Sequence, residues 1–173
     1  MGFILAAVSA VVLTSGGAAQ GYESPDTVIS NMRQASQLAT QWSNMWRAEP
    51  SANCASNTVR RAESISDEIT RIAVSSAATL DDYTKGETSK WWAGRVLDGV
   101  APIAAQTRLD LGNTYLRGGC LDDADRIFRD VMTTFTGPQY QSLARVGIED
   151  VREARRAAST RSDTTTSAAT DTP

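Results

Sequence analysis

The sequence contains no histidine. That absence removes the commonest acid/base group at neutral pH and the commonest zinc ligand, and it excludes Ser-His-Asp and Cys-His nucleophilic catalysis. Lysine is scarce too: Lys85 and Lys90 stand against fifteen arginines, and the net charge is −3. Without a basic excess the chain has little with which to displace counterions from phosphates. A nucleic-acid partner is therefore not expected, even with Arg152, Arg155 and Arg156 clustered near the end. Glycine-rich phosphate loops, metal-ligand spacings and nucleophile elbows are also missing. The acidic pairs Asp81/Asp82 and Asp122/Asp123 do not make up for them, because adjacent residues on a helix point about 100° apart rather than into one site. The expectation is a protein that is not an enzyme, with no catalytic residues, no cofactor and no metal.

What is present describes one ordinary domain. At 173 residues, 41% hydrophobic and 21% charged, the chain is long enough to bury a core without metal or covalent help. Residues 1–19, MGFILAAVSAVVLTSGGAA, carry an apolar run from Phe3 to Leu13 followed by small residues. This reads as a secretory signal cleaved after Ala19, with Gly17 and Ala19 at the small-residue positions. It has no basic n-region, so an uncleaved membrane anchor or a folded terminal helix stays open. The run turns to Ser, Thr and Gly after Leu13, short of the roughly 20 apolar residues of a membrane span. Export, periplasmic or secreted, is the expected localisation, with a membrane-anchored, outward-facing protein as the alternative.

Residues 20–158 read as a single all-α domain of about five helices, and periodicity sets most of the boundaries. Ser24, Pro25 and Asp26 form a helix-start signature. From there Val28, Met32, Ala35, Ala39, Trp42 and Trp46 recur at spacings of 4, 3, 4, 3 and 4, a stripe of coiled-coil type. This predicts a helix over 26–48, and the stripe would serve self-association as well as an internal core. The segment EPSANCASN ends it. A second helix over 57–80 places Val59, Ala62, Ile65, Ile69, Ile72 and Leu80 on one face and packs antiparallel on the first. The polar stretch 81–89 reads as a loop. Trp91, Trp92, Val96, Val100 and Ile103 then open a third apolar face, which Pro102 should kink or restart. Residues 159–173, rich in Ser, Thr and Asp, lack the apolar surface to offset ordering entropy and are expected to be disordered.

The most specific pattern lies at 105–138, AQTRLDLGNTYLRGGCLDDADRIFRDVMTTFTGP. Leu111 and Gly112, Tyr115, Gly119, Ala124, Phe128 and Pro138 fall, without a gap, at the preferred positions of a 34-residue helix-turn-helix repeat. The segment resembles a tetratricopeptide (TPR) hairpin. The resemblance implies that Gly112 and Ala124 let two helices approach, that Tyr115 and Phe128 fill the space beside the crossing, and that Gly119 makes the turn. Asp122, Asp123 and Asp125 would complement the dipole at the start of the second helix. Two residues depart from the family: Arg108 stands where an aromatic residue is usual, and Pro138 lies slightly past its customary place. Gln139–Ala158 reads as the capping helix that follows a last repeat, so the domain divides into a helical pair at 26–80 and a TPR-like part at 88–158.

Cys54, in the expected interhelical loop, and Cys120, in the hairpin turn, are the only cysteines. In an exported chain they permit one disulfide, the alternative being two thiols packed independently. What the resemblance implies for function is protein or peptide binding, or scaffolding. The alternative is a structural or oligomerising protein of the cell envelope, attached to the membrane through residues 1–19 and able to form homo-oligomers. Trp42, Trp46, Trp91 and Trp92 are the candidate interaction residues, since tryptophan dominates binding hot spots. Their helical spacing equally suits a core.

Overall fold

The computed structural model describes the backbone of residues 25–48, 54–82 and 84–168, and the side chains of 29–45, 54–82 and 84–160. The leader-like residues 1–19, the expected capping residue Ser24 and the side chain of Trp46 lie outside the described residues. The chain is all-helical: α1 (Pro25–Ala48), α2 (Asn57–Asp81), α3 (Glu87–Arg117), α4 (Leu121–Thr134) and α5 (Pro138–Ala168). Among the described residues no helix is long and apolar enough to cross a membrane.

Helices α1, α2 and α3 form an up-down-up bundle. Ser56 caps α2, its hydroxyl accepting from the Val59 amide at 3.1 Å. The expected apolar face of α2 is buried at Val59, Ala62, Ile65, Ile69 and Ile72. Interleaved with it are small residues, Ser66, Ala73, Ser76 and Ala77, which let α3 lie close. The buried hydroxyls return to the helix's own backbone: Thr70 donates to the Ser66 carbonyl and Ser76 to the Ile72 carbonyl, both at 2.8 Å. No polar group is thereby left without a partner at those positions. On α1 the centre of the predicted stripe is buried at Ala35 and Trp42, while Met32 is exposed.

Pro102 neither ends α3 nor starts a new helix. The helix runs unbroken through it, and Pro102 is exposed. The amide it lacks would have bonded to the Asp98 carbonyl, which lies on the same solvent-facing side and is free to take water, so the penalty stays local. The third apolar face and the first helix of the hairpin are therefore one element of 31 residues, about 46 Å long at 1.5 Å per residue.

The far half of α3 carries α4 and α5, packed antiparallel in turn. Gly119, at φ 78°, is the only described residue with positive φ. Around it the Cys120 amide donates to the Tyr115 carbonyl (2.9 Å) and the Gly119 amide to the Leu116 carbonyl (3.1 Å). This paired closure is the glycine-dependent helix ending that a tight hairpin needs. Asp122 and Asp123 sit in the first turn of α4 as expected; Asp125 lies one turn on and pairs with Arg129 at 2.9 Å. Helix α5 continues through Ala168, into the segment whose composition predicts disorder, and its side chains from Arg155 to Thr160 are exposed. The composition correctly signals a lack of burial. It does not forbid a solvated helix, here supported by Glu149 pairing with Arg152 and Arg156.

Cys54 and Cys120 form a disulfide, with Cα atoms 6.2 Å apart. It ties the chain just before α2 to the turn between α3 and α4. Closing a loop of that length stabilises by roughly 4 kcal/mol in the chain-entropy model. Chemical denaturation with and without a reductant should therefore show a loss of that order on reduction, and a Cys54→Ser/Cys120→Ser variant should match the reduced protein.

Candidate interaction site

The three helices of the C-terminal part meet on one ring. Phe128, on α4, is fully buried. A Cβ placed on Gly112 of α3 would lie 2.7 Å from its Cε1 atom, and one placed on Gly147 of α5 would lie 2.5 Å from the same atom. Both distances are closer than side chains tolerate, so the ring occupies a slot that exists only because both residues lack a side chain. Leu111, Tyr115, Ala124, Ile127, Val131, Ala144, Ile148 and Val151 complete the buried layer. Gly147 is the functional counterpart of Gly112, and the sequence reading passed over it. An interior glycine in an otherwise helical segment was the available signal. Phe135, also fully buried and 6.4 Å edge-to-face from Tyr140, closes the α4–α5 turn beside Pro138, the first residue of α5.

A polar seam fixes α2 against this unit. Tyr115 donates its hydroxyl to Glu63 at 2.8 Å, and Arg126 of α4 donates to the other Glu63 oxygen at 2.7 Å. Arg108, where the TPR pattern expects an aromatic, is buried in α3. It places Nη1 2.6 Å from Asp67 of α2 and Nε 3.2 Å from Asp130 of α4, the second contact being an ion pair without hydrogen-bond geometry. One cation thus bridges three helices. Beside it the hydroxyls of Ser66 and Thr107 pair at 3.2 Å across α2 and α3. Partial burial alone would raise the Glu63 carboxyl, but the hydrogen bonds from Arg126 and Tyr115 outweigh it and hold its pKa below the usual value of 4.5. Burial, with the Glu63 carboxylate beside it, pushes the Tyr115 phenol up.

The tryptophans do not form one face. Trp42 is 4% exposed and belongs to the core, so it offers no surface to a partner. Trp92 packs against that core, and Trp91, stacked edge-to-face on it at 4.6 Å, is 58% exposed. Among the described residues, the other large exposed apolar side chains fall in two places: Ile29 and Met32 on α1, and Leu143 and Val146 on α5. The last two are one turn apart on the exposed flank of α5, and the sequence reading did not single out their exposure. No protein-family model, curated protein or solved structure matches this chain.

Two measurements test these contacts. Alanine normally exceeds glycine in helix stability by about 1 kcal/mol, yet Gly112→Ala and Gly147→Ala should each destabilise by about 1–3 kcal/mol through overpacking; urea denaturation reads the sign. For Glu63 the folded pKa lies below the unfolded one, so its stabilisation is present above pH 4.5 and is lost as pH falls through the folded value. Stability measured against pH should show this decline, and Glu63→Gln should flatten it in part. Glu68, whose carboxyl is lowered by its hydrogen bond from Arg71, supplies a similar contribution that remains.

Proposed function

We propose that the chain is an exported binding or scaffold protein in which residues 105–138 act as a TPR-like hairpin and α5 presents the contact face. The observation that carries this reading is the exposure of Leu143 and Val146, at 53% and 56%. A helix that terminates a helical stack normally turns a polar face to water. Helix α5 instead turns out two adjacent aliphatic side chains, with Arg145, Ser142 and Asp150 exposed around them. That arrangement suits an amphipathic helix of a partner protein, which would lie on α5 much as α5 lies on α4. The disulfide suits an oxidising compartment. The ring slot at Gly147, with Arg155 of α5 paired to Asp122 of α4, holds α5 in one orientation, so the face is ready before a partner arrives.

Cross-linking in the native compartment, followed by identification of what is captured, tests the proposal. A defined partner should be recovered with the wild-type chain and lost with Leu143→Asp/Val146→Asp. Both sites are already exposed, so the variant should keep its helical circular dichroism. Recovery of the same partner at equal yield with the double variant would overturn the assignment of α5.

A further inference from the structure

The opposite end of the molecule carries a second group of exposed apolar side chains. Antiparallel pairing brings Leu80 of α2 against Gly94 of α3, and Met32 of α1 lies beside Gly99 of α3. The start of α1, the end of α2 and the start of α3 therefore share one end of the bundle. Ile29 and Met32, 46% and 41% exposed, and Trp91, 58% exposed, are all found there. So are both lysines of the chain, Lys85 in the α2–α3 turn and Lys90 in the first turn of α3. In the membrane-anchored alternative, in which residues 1–19 are retained, the apolar run Phe3–Leu13 is joined covalently to this same end, through the short segment that leads into Pro25. Helices α4 and α5 pack on the far half of α3 and leave this end uncovered.

From this convergence we infer that the α1-start end of the bundle rests on a phospholipid bilayer, with Trp91 seated in the headgroup region. Tryptophan prefers that layer because its ring is apolar and its N–H needs a partner. Aliphatic side chains beside it enter the same boundary, and lysine stems lie along it with their ammonium groups in water. Trp91 packs edge-to-face on Trp92, which itself packs against the core, so its exposure is set by the fold. The charges here balance, Asp81, Asp82, Glu87 and Asp98 against Lys85, Lys90, Arg33 and Arg95. The contact is therefore with the zwitterionic interface and does not require anionic lipid. This surface is separate from the α5 face, and either can fail without the other.

The test uses the full chain with phosphatidylcholine vesicles, made with ordinary or brominated acyl chains. Tryptophan emission should shift to the blue on vesicle addition and be quenched by the brominated lipid, and Trp91→Ala should lose most of that quenching while keeping its helical circular dichroism. Ile29→Ser/Met32→Ser should weaken flotation with vesicles. Adding anionic phosphatidylglycerol should change binding little. Failure to bind vesicles overturns the inference, as does binding in which quenching is unaffected by Trp91→Ala, since residues 1–24 would then act alone. So does a result in which Trp91→Ala abolishes self-association but leaves vesicle binding intact, which would make the patch an interface between copies.

Discussion

Everything C-terminal to the first three helices depends on the ring of Phe128 having no side chain opposite it on two neighbouring helices. An aromatic ring between two helix backbones brings those helices together at a distance no pair of ordinary residues permits. Gly112 and Gly147 accept the ring from α3 and α5, so a single side chain of α4 fixes both neighbours. The arrangement has little slack. A missing methylene would leave a void and an added methyl a clash, and protein interiors tolerate neither well. This rigidity is what gives an exposed residue on the outside of α5 a defined position relative to α2, two layers away.

Apolar packing is non-directional and alone would leave the C-terminal unit freer to slide along α2. The polar seam removes that freedom. Arg108 has directional partners on both sides, Asp67 on α2 and Asp130 on α4, and Glu63 is shared by Tyr115 of α3 and Arg126 of α4. Ion pairs at partly exposed carboxylates contribute little net stability. What they supply is register: a shift of one turn would leave a buried guanidinium without a counterion, which is far more costly than the pair is stabilising. The disulfide fixes the same register from the end of the seam, joining the segment before α2 to the turn after α3.

The helices themselves were legible in the sequence because caps and periodicity are local. The expected spans 26–48 and 57–80 appear as Pro25–Ala48 and Asn57–Asp81, and the hairpin turn falls at Gly118 and Gly119. What was not legible depended on which side of an element faced its neighbours. Pro102 reads as a break until its side of α3 proves to be the solvent side. Trp42 and Trp91 both fall in apolar stretches of helix, yet Trp42 is buried in the core while Trp91 is exposed at an edge that α4 and α5 do not cover. Arg108 stood out as a departure from the TPR pattern, but its carboxylate partners come from separate helices, and no local spacing announces them. Gly147 could have been found: a glycine within a helical run asks for a close neighbour, and the nearest bulky candidate was the aromatic of the preceding helix.

The uninterrupted α3 also changes what the resemblance to a TPR hairpin means. In a repeat array the first helix of a hairpin is short and its neighbours are other hairpins. Here that helix is the far half of one roughly 46 Å rod, whose near half belongs to a different packing unit with α1 and α2. The rod makes the two units one body, so the orientation of the hairpin is set at the far end by how the three-helix unit is held. Trp91 lies one turn into α3, and the hairpin begins at Ala105, about 20 Å along the axis. A bundle resting on a bilayer by its α1 end would therefore hold the α5 face clear of the headgroups while keeping its distance from the membrane fixed. A flexible tether would allow the same partner contact but could not set its height, and the continuity of α3 through Pro102 is what distinguishes the two.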